Sequence, residues 1–465
     1  MPASVDPATG LALQTYSETS AAEIDRRLTA AATAQSSWAR LPVERRLESF
    51  LKLAAILIRD RDALAALAVH EMGKPIAQAE AEVEKCSRCC AWIALNAPAI
   101  LAPESAATEA RASYVRFDPL GLVLAVMPWN FPFWQVIRAA VPALAAGNGV
   151  VLKHASNVPG CALALERAFA EAFPAGLFTA LLIPGSAAES LLDDPRIAAV
   201  TLTGSEPAGR AVAARAGAAL KPSVLELGGS DPFVVLADAD LDLAVREAVH
   251  ARLQNNGQSC IAAKRFIVEQ PIADAFERAF IEAMSRVAVG DPMDRATEVG
   301  PLARADLVDA LDRQVRESVA AGATLATGGN RLDRPGFFYA PTVLTQVSPG
   351  MSAFDEETFG PLATVTRARD AEHAIALANQ SGFGLGASVW TRDTARAETL
   401  AARVEAGSVF VNGMVRSDPR LPFGGVKRSG YGRELSAFGI RAFVNVKTVW
   451  IEATTPAASP HAGVE

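Results

Sequence analysis

The chain is poor in the residues that staple or metallate a protein. Five cysteines in 465 residues are too few for a disulfide framework. Cys86, Cys89 and Cys90 show a C-x-x-C spacing, but no second pair and no nearby histidine completes a tetrahedral zinc site. The surrounding segment, EVEKCSRCCAWIALNA, reads as a helix with buried cysteines. The five histidines are scattered and no H-E-x-x-H occurs, so no metal is expected. Basic charge is in deficit, 44 residues against 51 acidic ones and a net −7, which suits a phosphate backbone poorly and argues against nucleic acid as a partner. Long hydrophobic runs are missing too: the most apolar stretch, 120–134, holds two prolines and is too short to cross a bilayer. The opening MPASVDPATG has no basic segment before an apolar one, and Asp6, Glu18 and Glu23 are unlike an acid-poor transit peptide. A cytoplasmic location is expected.

What is present is a 50% hydrophobic chain, enough for more than one core and for two or three domains. The first hundred residues read as helices. Ser20 and Glu23 form a capping-box pattern ahead of IDRRLTAAATAQSSWARL, and a second helix from about Pro42 would place Leu47, Phe50, Leu51, Ala54 and Ile58 on one face. From Gly121 short apolar runs follow (GLVLAVMP, NGVVLKH, LFTALLIPG, IAAVTLTGS), with the helix CALALERAFAEAF between the second and third. Continuous apolar strands alternating with helices indicate a parallel sheet covered on both faces. The alternation resumes after Glu226 with DPFVVL, RFIVEQ, LATVTR, GASVWT and GSVFVNG, enough for a second α/β domain. FVNVKTVWIE is the last strong strand before a Pro/Ala/Ser tail expected to be disordered.

Several residues could carry chemistry. Cys260 lies in NNGQSCIAAKR, where Gly257 permits an unusual backbone and Asn, Gln and Ser side chains can donate to a thiolate. Taken singly, a lone cysteine is more often a small buried hydrophobe. Glu226 ends a strand before two glycines in VLELGGSDP and could face a cleft as a general base, or be a plain loop acid. In PWNFP, two prolines hold the Asn130 amide in a fixed direction, as an oxyanion donor requires. G-x-G-x-x-G is absent. Instead TGSEPAG, with Gly204 and Gly209, opens a helix whose N-terminus favours a pyrophosphate, and VLKHAS places Lys153 and Ser156 past a strand end, where a ribose or phosphate could dock.

Taken in order, PWNFP, VLKHAS, TGS, ELGG, NNGQSC, EETFGP and PFGGVKRSGYGRE resemble the aldehyde dehydrogenase superfamily over nearly the whole chain. The stretches KHASNVPGCALALE and SDPRLPFGGVKRSGYGREL are most similar to bacterial succinate-semialdehyde dehydrogenases. The resemblance implies Cys260 as nucleophile, Glu226 as general base and Asn130, with the Cys260 backbone N–H, as oxyanion donors. It implies Lys153 and Glu356 on the two riboses, and Trp129, Gly204, Ser205, Leu227 and Phe359 lining the cofactor groove. It also implies a Rossmann-like cofactor domain (1–111 and 120–225), a catalytic domain (226–415) and oligomerisation strands (112–119 with 440–453) in a homodimer or homotetramer. Family members preferring NAD usually carry an acid where Ser156 stands, so NADP is expected, with NAD as the alternative. Arg138, six residues after PWNFP, matches an arginine that binds the substrate carboxylate, and Ser417, in the loop before PFGG, is a second, weaker candidate for that task; a second arginine found in some members is replaced by Gln254. Ala262 stands where some relatives pair the nucleophile with another cysteine, so that redox switch is not expected. The expected reaction is oxidation of an aldehyde, most readily succinate semialdehyde, to the acid. A broad aliphatic or aromatic aldehyde dehydrogenase, with Arg138 in a structural salt bridge, is the alternative, and a catalytically silent relative is a third reading.

Overall fold

The computed structural model describes residues 2–452. The tail 454–465, expected to be disordered, lies outside the described residues. Two large sheets use the apolar runs. The first has the order Gly430–Tyr431, Ser223–Glu226, Ile197–Thr203, Leu122–Met127, Gly149–His154, Phe178–Ala180, all parallel except the antiparallel first pair. The second has the order Thr324–Thr327, Thr342–Thr345, Leu362–Ala368, Ala263–Glu269, Asp231–Val235, Gly386–Trp390, Ser408–Val411, again parallel but for the first pair. Helices pack on these sheets, which is why Asp231–Val235 and Ala263–Glu269 are buried at every residue and lack the alternation of a one-sided sheet. A third, antiparallel sheet joins Val444–Ile451, Ala112–Pro119 and Glu104–Ser105. The architecture is thus the expected one: two parallel α/β sheets and a small β unit.

The N-terminal reading needs two corrections. The chain opens with a hairpin, Ala3–Val5 against Ala12–Thr15, and only then becomes helical. The helix Ala21–Ala39 starts where expected, with the Ser20 hydroxyl accepting the Glu23 N–H at 3.3 Å, while the Glu23 carboxylate turns to Arg26 and Arg27. In the next helix, Val43–Arg59, the buried stripe is Phe50, Leu53, Ala54 and Leu57, and the predicted Leu51 and Ile58 are 54% and 50% exposed. Leu51 and Ile58 also recur at helical spacing; the long helix Ile76–Leu101 packs against this one and covers the neighbouring stripe instead. That long helix buries Cys86, Cys89 and Cys90, and burial pushes the Cys89 thiol up to about 12. Among the described residues no group of side chains suits a metal, and no helix is long and apolar enough to cross a membrane.

Candidate active site

Three neighbouring strands of the first sheet, Leu122–Met127, Ile197–Thr203 and Ser223–Glu226, end on the same side, where ligands of open parallel sheets bind. A cleft of about 210 Å³ opens there, lined by residues that follow these strands (Trp129, Asn130, Gly204, Ser205, Leu227) and by Cys260 and Phe359 from the second sheet's loops. Seven of the sequence-derived site residues therefore share one cavity.

Cys260 is placed by an unusual loop. Asn255, Asn256 and Gly257 are all left-handed, with φ of 55°, 59° and 73°. A Cβ at Gly257 would sit 2.2 Å from the Gly360 carbonyl oxygen, so only glycine fits. Two buried cations then pin the loop through carbonyls. Arg252 donates to Gly257 and Gly360 at 2.6 Å each and to Ala263 at 2.9 Å. Lys264 Nζ donates to the carbonyls of Ser259 and Cys260 at 2.8 Å and of Ala262 at 3.1 Å. Burial pushes the Cys260 thiol up to about 12, although Arg138 and Lys264 pull it down. The resting group is a thiol.

Asn130 is held by its own polar atoms. Its Nδ2 donates to the Gln258 carbonyl at 3.0 Å, and its Oδ1 accepts from Gln135 Nε2 at 3.0 Å. An amide nitrogen has two N–H groups, so one remains for a ligand oxygen. Glu226 is 2% exposed, and both carboxylate oxygens are buried with no hydrogen-bond partner. Burial, with the nearby Glu434 carboxylate adding to it, holds its pKa well above the ordinary carboxylate range, against the pull of Arg138 and Arg433. It lies beside the cleft, between Thr203 in the paired register and Leu227, and not on its surface. Other buried unpartnered atoms gather here: Gln135 Oε1, Asn255 Oδ1, Gln258 Nε2 and Ser259 Oγ. Such groups are costly unless a ligand or water satisfies them.

The remaining expected residues are placed elsewhere. Lys153, half-buried, ends a strand; its ammonium has no ion pair or hydrogen bond among the described residues, and burial lowers its pKa. Ser156 is exposed in the following turn. Glu356 does not reach the cleft: its carboxylate accepts from Arg313 at 2.7 Å and Gln314 at 2.9 Å. Glu357 lines the cleft instead, accepting the Gly229 N–H at 3.0 Å and lying 3.8 Å from Lys264 Nζ. Glu356 is extended directly after the short helix Ser352–Asp355, so its neighbour points to the opposite side. Arg138 is also off the cleft surface, 3% exposed, ion-paired with Glu434, stacked on Phe423 and donating to Thr203 at 3.3 Å. The structural salt bridge weighed for it is present. Its Nη1 makes no hydrogen bond among the described residues. Ser417 is buried and accepts from Lys85 Nζ at 2.7 Å and Trp134 Nε1 at 3.0 Å. Missed altogether were Arg252, Lys264 and Glu357, and Arg304, which stacks 5.3 Å from the Trp129 ring.

A thiol set between two parallel sheets, at strand ends built to take a dinucleotide, places the molecule among NAD(P)-dependent oxidoreductases. The chain belongs to the aldehyde dehydrogenase family, whose sequence profile matches residues 2–449. It is 52% identical to a probable NADP+ succinate-semialdehyde dehydrogenase of Synechocystis, over 97% of this chain and 99% of that one. It is also 52% identical to the NADP+ succinate-semialdehyde dehydrogenase of Mycolicibacterium paratuberculosis, covering 97% and 96%. Among solved structures, the succinic semialdehyde dehydrogenase of Streptococcus pyogenes in complex with NADP+ superposes with a TM-score of 0.95 at 35% identity, covering 97% of this chain and 100% of that one. Gox0499 does so with a TM-score of 0.95 at 43% identity, covering 97% and 99%.

Proposed function

We propose that the protein oxidises succinate semialdehyde to succinate with NADP+, as a cytoplasmic homodimer or homotetramer. The observation that carries the chemistry is the single cleft shared by Cys260, Asn130 and the groove residues Trp129, Gly204, Ser205, Leu227 and Phe359. The substrate and cofactor follow the printed activities of relatives that match almost end to end. Assembly is supported by the edge strand Val444–Ile451, where Val446 and Trp450 are 62% and 43% exposed. The sheets support residues 1–111 and 120–225 as the cofactor unit and 226–415 as the catalytic unit, with 112–119 and 440–453 for assembly.

The residues fit the dinucleotide. Lys153 is a half-buried cation without an anionic partner among the described residues, and Ser156 beside it offers a hydroxyl and no negative charge to repel a 2′-phosphate. The helix Glu206–Ala218 begins at Ser205 without a side-chain cap, leaving its N–H groups for phosphate. Glu357, which lines the cleft where Glu356 does not, would hold a ribose of the cofactor. When bound, the cofactor accepts the hydride from the substrate carbon.

This chain's own groups do the rest. Cys260 loses its proton to solvent water and its sulfur bonds to the aldehyde carbon; the oxyanion meets the spare Asn130 N–H and the Cys260 backbone N–H. Loss of hydride from that carbon leaves a thioester on Cys260. Glu226, once ionised, takes a proton from water, whose oxygen attacks the thioester; the thiolate leaves and succinate is released. The acid's carboxylate would be met by Arg138 through its spare Nη1 and by Ser417.

The test is initial-rate reduction of NADP+ and NAD+ with succinate semialdehyde, hexanal and benzaldehyde. A kcat/KM strongly favouring succinate semialdehyde and NADP+ is expected; a flat profile overturns the substrate assignment. The broad-specificity reading keeps one observation in its favour, the commitment of Arg138 to Glu434.

A further inference from the structure

The geometry points to Lys85 as a second cation for the substrate's carboxylate, completing a subsite with Ser417, Trp134 and Arg138. Lys85 projects from the long helix Ile76–Leu101, well away in sequence from every motif of the site. Its Nζ donates to Ser417 Oγ at 2.7 Å and lies 4.2 Å from the centre of the Trp134 ring. It has no ion pair among the described residues. The nearby carboxylates are all engaged elsewhere: Glu82 with Lys74 and the Phe133 and Trp134 N–H groups, Glu434 with Arg138, and Asp418 with Arg420. A largely buried ammonium left without an anion is costly. Here burial, with Arg138 close by, holds Lys85 down to about 8.

Ser417 adds an independent argument. Its oxygen already accepts from Lys85 and from the Trp134 indole, so the group's remaining capacity is its own proton. No acceptor for that proton occurs among the described residues. Lys85, Ser417 and the free Nη1 of Arg138 thus present donors only, and a carboxylate is an acceptor only. Trp134 and Arg138 lie one turn apart on the helix that also carries Gln135 into the cleft, and Arg138 reaches Thr203 of the cleft wall at 3.3 Å. This places the donor cluster beside the reacting cysteine, which feels the Arg138 charge. Lys85 would then supply the charge that Gln254 does not.

The inference rests on the succinate semialdehyde reading, and one experiment separates the two. The ratio of kcat/KM for succinate semialdehyde to that for butanal is measured for the wild type, Lys85→Met and Lys85→Arg. Loss of a charge-assisted hydrogen bond should lower the ratio by about 10- to 100-fold in Lys85→Met, and Lys85→Arg should restore most of it. A wild type without preference for the acid overturns both readings. A strong wild-type preference that survives in Lys85→Met overturns the role of Lys85 alone, as does an equal loss for both aldehydes. Should Lys85→Met not fold, Lys85→Gln, which retains a donor to Ser417 without the charge, reads the same ratio.

Discussion

Glu82 is expected to hold the active site in place, and its removal can be costed from the structure. The Glu82 carboxylate is ion-paired with Lys74, their side chains 2% and 0% exposed, and one of its oxygens accepts the N–H groups of Phe133 and Trp134 at 2.9 Å each. Those N–H groups open the helix Trp134–Ala145, directly after the turn that carries Asn130, and Lys74 lies 4.0 Å from the Phe131 ring in that same turn. Glu82→Gln keeps an oxygen for the two N–H groups and strands the Lys74 charge, at a cost of about 3–5 kcal/mol. Glu82→Ala also leaves both N–H groups unmet, adding about 1 kcal/mol or more for each. Against a total stability of about 5–15 kcal/mol, either is severe. Lys74→Met in the Glu82→Gln background should recover most of the loss, because the stranded charge is gone. Urea unfolding followed by tryptophan fluorescence measures all four proteins. Lys74 can also escape by losing its proton, which burial favours. The native state then binds fewer protons than the unfolded one, so Glu82→Gln should regain stability as pH rises toward the ordinary lysine range. Were Glu82→Gln within about 1 kcal/mol of wild type, or not rescued by Lys74→Met, the ion pair would not be what positions this helix.

Other expectations concern the chemistry directly. Cys260→Ala should abolish turnover with every aldehyde; NADPH formation by that variant would refute the covalent route. With the Cys260 thiol up at about 12, the nucleophile must lose a proton to react, so kcat/KM should climb as pH rises above neutrality; a rate that is flat or falls would contradict it. Glu226→Gln should form the thioester but hydrolyse it slowly, giving a burst of NADPH followed by a slow steady state. Folding stability moves the other way for this residue. A raised carboxyl pKa means that the native state keeps a proton the unfolded chain has lost, so stability falls as pH rises above the ordinary carboxylate value. Glu226→Gln should remove that slope in urea titrations, and an unchanged slope would assign it to another group. Ser156→Glu should lower the NADP+/NAD+ preference at least about tenfold by opposing the 2′-phosphate, and an unchanged ratio would place cofactor choice elsewhere.

The legible parts of this molecule were those whose signal is local. Glu226 and Gly204 stand where an apolar run stops, and a strand end is visible in sequence because the pattern changes there. The Cys260 loop was legible in part through Gly257, which permits the left-handed backbone found there; that Asn255 and Asn256 share it was not read from the sequence, which offered them only as donors. What escaped depended on facing or on distance. Leu51 and Phe50 are adjacent, and periodicity alone does not say which stripe a neighbouring helix will cover. The Glu356–Glu357 pair poses the same question in extended chain, where one step reverses the side; the answer came from where the helix Ser352–Asp355 stops. Arg252 and Lys264 were hidden for another reason. They act on backbone carbonyls, which every residue has, and Arg252 finds one at Gly360, 108 residues away. Sequence advertises a cation by its partner acid, so a cation that instead organises carbonyls looks like a buried misfit. The same reasoning singles out Lys85 and Lys153. They are largely buried or half-buried ammonium groups with neither an ion pair nor a ring of carbonyls among the described residues, and the missing partner in each case is expected to arrive with substrate or cofactor.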